Sequence, residues 1–237
     1  MTGLAHAMIL AAGRGERMRP LTDHTPKPLL EVHGKPLMQW PMEALAAGGF
    51  TELVINTAWL GEQIEARFGA RHGPSRLRYS HEGLDFGGAL ETAGGIARAL
   101  PALGEIFWVL AGDVFAPDFR FTQEAVRRFA ASGQLAHLWL VPNPPHNPRG
   151  DFGIDAAGLA TDSGEARWTF STIGLYRAEL FAPPLCSLPA GNPLGEKAAL
   201  APLLRAAMAA RRVSAEIFAG SWTDVGTPER LAAIDRP

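Results

Sequence analysis

The sequence is poor in cysteine, tyrosine and net charge, and it has no long apolar run. Cys186 is its one cysteine, so no internal disulfide can staple the fold. The 22 basic and 24 acidic side chains leave a formal charge of -2, which gives no overall field toward nucleic acid or an anionic membrane. A small anionic ligand needs only local charge. No apolar stretch approaches the roughly 20 residues needed to cross a bilayer. Met1-Thr2-Gly3-Leu4-Ala5-His6 has no basic segment ahead of a long apolar one. The chain is therefore expected to be cytoplasmic, with neither nucleic acid nor membrane as a partner.

With 47% hydrophobic and 19% charged side chains in 237 residues, the chain is too apolar to be disordered and suits one large domain. Apolar segments at 7–12, 52–56, 77–80 and 106–111 alternate with helical patterns near 36–48, 60–68 and 94–100. That alternation predicts an α/β, Rossmann-like fold whose mostly parallel central sheet carries helices on both faces. Leu60, Ile64 and Phe68 recur at i, i+4 and i+8 along one helical face. Pro36 suits the first turn of the helix ending near Gly48-Gly49. Pro41 would remove a backbone donor from its interior, so this helix must start late or bend. After a helix at 122–132 with Thr122 as its N-cap, short strands at 136–141, 150–154 and 167–176 predict a small β-rich lobe. A helix at 200–210, a strand at 213–218 and a helix at 228–234 opened by Pro228 follow. Trp108, Trp139 and Trp168 lie in strand-like runs and read as core.

Leu10-Ala11-Ala12-Gly13-Arg14-Gly15-Glu16-Arg17-Met18-Arg19-Pro20-Leu21-Thr22 follows the first strand directly. Glycines there let successive N–H groups converge on phosphate oxygens, and Arg14, Arg17 and Arg19 add charge-assisted donors. Neither the dinucleotide pattern nor the P-loop fits, because Met18 replaces the third glycine of one and no Gly-Lys-Ser/Thr ends the other. A plain glycine turn with solvated arginines is the competing reading. Thr25-Pro26-Lys27-Pro28-Leu29 weighs against it, since two prolines stiffen the backbone around one lysine. Downstream, Gly112-Asp113-Val114 places a carboxylate at the end of a strand, where open α/β sheets build their crevice. Trp222-Thr223-Asp224-Val225-Gly226-Thr227-Pro228 offers a second one on a turn. Taken singly, each is an ordinary turn or cap; as a pair they suit Mg²⁺, which takes one or two carboxylates plus substrate phosphates. Tyr79-Ser80-His81-Glu82-Gly83 and Leu90-Glu91-Thr92-Ala93-Gly94-Gly95 have small residues where a flat base can lie against backbone, with a flexible loop as the alternative. His146 reads as a polar loop histidine, because no second histidine stands at ligand spacing.

The glycine loop, Thr25–Leu29 and Lys35-Pro36-Leu37 together resemble the N-terminal signature of sugar-1-phosphate nucleotidyltransferases. That signature runs Leu-Ala-Ala-Gly-x-Gly-Thr-Arg-Leu-x-Pro-Leu-Thr, then Pro-Lys-Pro-Leu, then Lys-Pro. Glu16 and Met18 stand where threonine and leucine are usual, as in the branch of the N-acetylmuramate 1-phosphate uridylyltransferases. The resemblance implies an Mg²⁺-dependent enzyme that joins a nucleoside triphosphate, UTP first, to a sugar 1-phosphate, with N-acetylmuramate α-1-phosphate the foremost choice. It implies that residues 1–135 mainly bind nucleotide and 136–237 mainly bind sugar, within one domain spanning 1–237. By the same resemblance Ala11, Ala12, Gly13 and Gly15 wrap the nucleotide phosphates, with Arg17 on the triphosphate and Lys27 at the α-phosphate. Glu82, Thr92 and Gly94 then face base and ribose, and Gly150, Asp151, Thr172 and Lys197 face the sugar. Asp113 and Asp224 become the metal ligands, and Arg17, Lys27 and Asp113 the catalytic set. The chain departs from that branch at Ala111, where asparagine is frequent, and in the longer segment 84–89. Guanylyl or thymidylyl transfer to a hexose 1-phosphate is the near alternative, and a non-catalytic domain that binds sugar nucleotides is one of another class.

Overall fold

The computed structural model describes residues 6–235; the expectation read from residues 1–5 lies outside them. Eight strands form one sheet: β1 (His6–Ala11), β2 (Glu52–Thr57), β3 (Arg71–His72), β4 (Ser75–His81), β5 (Ile106–Ala111), β6 (Ala136–Val141), β7 (Thr169–Arg177) and β8 (Val213–Ile217). Their order across the sheet is β8-β6-β7-β5-β1-β2-β4-β3. β1 lies parallel between β2 and β5, β2 is parallel to β4, and β8 is parallel to β6. β7 runs antiparallel between β5 and β6, and β3 is an antiparallel edge strand. Most second-half strands thus extend the central sheet, while the ribbon Gly153–Ile154 with Ala160–Thr161 stands apart as a small β element and Thr223–Asp224 pairs outside the sheet with Val114–Phe115.

Among the described residues there are seven α-helices: α1 (Gln39–Ala47), α2 (Gly61–Phe68), α3 (Glu82–Phe86), α4 (Glu91–Leu103), α5 (Gln123–Ser132), α6 (Leu200–Ala209) and α7 (Pro228–Ile234). Side chains alternate across β1, so Met8 packs with Ile96 of α4 and Leu204 of α6, while Ala7 and Ile9 pack on the other face. There they meet Leu45 of α1, Ile64 of α2 and Phe129 of α5. The fully buried Trp108 of β5 centres that second layer, edge-on to Phe50 at 5.9 Å and Phe121 at 5.0 Å between ring centroids.

Local signals explain several boundaries. α1 begins at Gln39, so Pro41 falls in the first turn, where its missing N–H has no intrahelical partner to lose. Thr122 caps α5 by accepting a hydrogen bond from the Ala125 N–H at 3.1 Å, and Thr227 does the same for Arg230 of α7 at 3.4 Å. No helix among the described residues is long and apolar enough to cross a membrane.

Candidate active site

The carboxyl ends of β1 and β5 lie side by side, and two clefts open beside them. Where β1 ends, the Ala11 N–H donates to Asn56 Oδ1 at 2.9 Å, which fixes the start of the glycine loop. Gly15 turns with φ +68°, and a Cβ there would meet Thr22 Cγ2 at 3.0 Å. The buried Thr22 hydroxyl donates back to the Gly15 carbonyl at 2.8 Å. Glycine is therefore required at 15 for both conformation and room, whereas Gly13 faces open space. A cleft of about 230 Å³ lies over this loop, bordered by Gly13, Gly15, Arg17, Lys27, Asp113 and Gly226.

The three loop arginines divide in role. Arg14 stacks on the Trp59 ring at 3.8 Å and donates to the Thr22 carbonyl and to Asp23, at 2.9 and 3.0 Å. Arg19 donates to the same Asp23 oxygen at 2.8 Å. The Arg14 hydrogen bond, helped by Arg19, holds the Asp23 carboxyl below the usual carboxylate range. Arg14 and Arg19, both expected as phosphate donors, thus brace the loop from outside the cleft. Arg17 lines the cleft and has no ion-pair partner among the described residues.

The two aspartates meet through a backbone ribbon. Val114–Phe115 pairs antiparallel with Thr223–Asp224, setting Asp224 opposite Val114, and the Val225 N–H donates to the Asp113 carbonyl at 3.0 Å. The Asp113 carboxylate is ion-paired with Lys27, whose side chain is only 13% exposed. Asp224 Oδ1 accepts from Arg230 Nη1 at 2.6 Å and lies 2.9 Å from His146 Nε2. A Cβ at Gly226 would collide with the Arg230 guanidinium at 2.1 Å and approach Arg17 Nη2 at 3.2 Å, so this glycine lets two arginines converge beside Asp224. His146 and Arg230 join Asp224 from outside the sequence motifs. Arg230 sits six residues after Asp224 in the first turn of a Pro-initiated helix, a spacing that could have been read; nothing local links His146 to Asp224. No group of three or more His, Cys, Asp or Glu side chains among the described residues makes a metal cage. Two hard carboxylates without a soft ligand fit an Mg²⁺ ion that arrives with substrate phosphates.

Glu82 is not a free base-reading group. It is fully buried, accepting from Asn56 Nδ2 at 2.8 Å and from the Leu90 N–H at 2.8 Å. Burial pushes its carboxyl above the usual range, against the pull of those two donors. Through Asn56, Glu82 connects the glycine loop to the start of α4. Gly94 is likewise occupied by the chain itself. A Cβ there would sit 2.6 Å from the Glu196 carbonyl, and the Ala93 and Gly94 N–H groups donate to the Ala198 carbonyl at 2.9 and 3.1 Å.

A second cleft, of about 580 Å³, is bordered by Leu10 and Val109 from the sheet, Thr92 from α4, Asp151, Thr172, and Arg205 from α6. Thr172 adopts φ +68° at the irregularity between Phe170 and Gly174 of β7, and its hydroxyl accepts from the Ala111 N–H at 3.3 Å. A β-branched residue in this left-handed region is strained, and such strain collects at functional sites. Asp151 is aimed by the Phe170 N–H at 2.8 Å and by Asn147 at 3.2 Å. Two expected sugar contacts do not border the cleft. Gly150 turns at φ +63° so tightly that a Cβ would lie 2.8 Å from Asn143 Oδ1 and the 167–168 backbone, and Lys197 is exposed to solvent. The cation that does border it is Arg205.

Residues 6–166 match the family described as Nucleotidyl transferase. The chain is 50% identical over 231 residues to N-acetylmuramate alpha-1-phosphate uridylyltransferase of Neisseria meningitidis serogroup B, covering 95% of this chain and 94% of that one. It is 41% identical over 158 residues to a UTP–glucose-1-phosphate uridylyltransferase of Synechocystis, covering 62% and 40%. A Bacillus anthracis structure described as a glucose-1-phosphate thymidylyltransferase shares the fold at a TM-score of 0.79, with 18% identity over 97% of this chain and 93% of that one. With a family match over most of its length and half its residues shared with a full-length relative, the chain belongs to the nucleotidyl transferase family.

Proposed function

We propose that the chain transfers a uridylyl group from UTP to N-acetylmuramate α-1-phosphate and releases pyrophosphate. The observation that carries the chemistry is the ribbon that joins Asp113 and Asp224 beside a glycine loop whose Arg17 lines the cleft and has no ion-pair partner among the described residues. The choice of base and sugar rests on the similarity to the Neisseria relative along nearly all of both chains. Residues 6–135 then serve mainly the nucleotide, and the second half mainly the sugar. In this reading the enzyme works in the cytoplasm on a recycled cell-wall sugar.

A sugar phosphate is largely ionised at neutral pH, its second pKa being about 6, so one of its oxygens can attack the α-phosphorus without a protein base. The new bond joins that oxygen to the α-phosphorus, the bond from the α-phosphorus to the bridging oxygen breaks, and pyrophosphate carries away the electron pair. Gly13 leaves room for the phosphates, Gly15 lets the loop turn beneath them, and Arg17 neutralises the charge of the departing pyrophosphate. Lys27, held by Asp113 before substrate arrives, turns its ammonium to the α-phosphate. Asp113 and Asp224 would hold Mg²⁺, which when bound supplies charge neutralisation and orients the two phosphates. Arg230 and His146 hold the Asp224 carboxylate in place beside the cleft-lining Gly226.

Asp113→Asn and Asp224→Asn test this directly. Each should lower pyrophosphate release by about a hundredfold or more, the usual scale for losing one preorganised charge-stabilising group, with the melting temperature nearly kept. Wild-type rates in either variant contradict the assignment.

A further inference from the structure

We infer that Arg205 selects the sugar, by binding an anionic substituent on it; this rests on the sugar-phosphate reading of the larger cleft. Ala201 and Arg205 lie one turn apart on α6 and both border that cleft, while the neighbouring Leu200 and Leu204 sit in the core beneath. The remaining wall is largely apolar, built from Leu10, Val109, Phe152, Phe170, Leu200 and Leu204. A bare hexose would turn hydroxyls toward that wall and leave them unpaired, which is costly. A sugar carrying an N-acetyl methyl and an ether-linked lactyl methyl puts apolar groups there instead.

The charges around the cleft are Glu91, Asp151 and Arg205. Two carboxylates repel a second anionic group on the sugar, and one guanidinium offsets them. Arg205 now pairs with Asp162 through Nε at 3.0 Å, with its side chain half exposed. An exposed pair of this kind is weak, so a substrate carboxylate can share or replace Asp162 at little cost. It would meet the planar fork that suits it for two parallel hydrogen bonds. The lactyl carboxylate of N-acetylmuramate is such a group, and N-acetylglucosamine 1-phosphate lacks it.

The test uses the purified full chain with UTP and compares kcat/KM for N-acetylmuramate α-1-phosphate with that for N-acetylglucosamine α-1-phosphate. Arg205→Ala should lower the ratio about tenfold or more, as expected for losing a charge-assisted hydrogen bond, and should act mainly through the muramate KM. Arg205→Lys should recover part of the loss, and Arg205→Glu should deepen it. Asp162→Asn, which frees the guanidinium, should leave the muramate KM equal or lower. An unchanged ratio in Arg205→Ala, or a loss shared equally by both sugars, overturns the inference while leaving the proposed reaction intact. A wild-type chain that does not use N-acetylmuramate α-1-phosphate overturns both.

Discussion

Asn56 is the smallest change that should unhinge the site without touching a substrate. Its side chain is 3% exposed and lies between two buried groups: Oδ1 accepts from the Ala11 N–H at 2.9 Å, and Nδ2 donates to Glu82 Oε1 at 2.8 Å. Asn56→Ala leaves the Ala11 N–H and Glu82 Oε1 buried without these partners, while Glu82 Oε2 keeps the Leu90 N–H. At about 1–3 kcal/mol for each such group, the loss is about 2–6 kcal/mol, a large part of a typical total of about 5–15 kcal/mol. A loss of about 4 kcal/mol in a chain of this size lowers the melting temperature by about 8–16 °C. Asn56→Asp is more diagnostic, because it keeps the acceptor for Ala11 but sets a second carboxyl against Glu82. Burial already raises the Glu82 carboxyl, and a second carboxyl beside it strengthens that effect, so in this variant the folded state holds a proton at pH values where the unfolded chain has released it. Stability must then fall as pH rises above the ordinary carboxylate range, and Asn56→Asp should regain stability as pH is lowered back toward that range. Urea unfolding followed by tryptophan fluorescence measures both effects. A loss within about 0.5 kcal/mol for Asn56→Ala, or a pH profile for Asn56→Asp parallel to wild type, refutes the tie between loop and helix.

The arginines of the glycine loop should separate by assay. Arg17→Ala should lower kcat/KM for UTP by about 10²-fold or more with little change in stability. Arg14→Ala should instead lower stability by about 1–2 kcal/mol, through its cation–π contact and its bonds to Thr22 and Asp23, with the smaller effect on turnover. Thr172→Val keeps the shape but removes the acceptor for the Ala111 N–H. It should cost about 1 kcal/mol and raise the KM for the sugar phosphate, whereas Thr172→Ser should keep both near wild type.

The elements that could be read from sequence were those with a local cause. β5 and α7 fall at 106–111 and 228–234 as expected, because an apolar run and a Pro-initiated helix need no distant partner to be recognised. The cap residue Thr122 declares itself in the same way. The short helix at Glu82–Phe86 has no local signal of its own, and its first residue is anchored by Asn56 on a separate strand. The placement of β7 between β5 and β6 depends on pairing across the whole second half, so strands that read as a separate lobe join the main sheet. Among site residues, Arg17, Lys27, Asp113 and Asp224 carried motif spacing and do assemble around one ribbon and one loop. Gly94 and Gly150 show the limit of such reading, since a glycine needed for a ligand and one needed for a neighbouring backbone look the same. Asp23 stands four residues after Arg19, a spacing that suits an ion pair, and it engages Arg14 as well. His146 against Asp224 is a purely tertiary contact and left no trace in the sequence.

The central claim is nucleotidyl transfer to a sugar phosphate, and the products test it most directly. The purified chain with Mg²⁺, UTP and N-acetylmuramate α-1-phosphate should form one pyrophosphate for each UDP-linked sugar, seen as new diphosphate signals by phosphorus NMR. Other nucleoside triphosphates and hexose 1-phosphates in the same assay should give lower kcat/KM. No UDP-sugar from this pair, or phosphate release from UTP that does not depend on the sugar phosphate, contradicts the account.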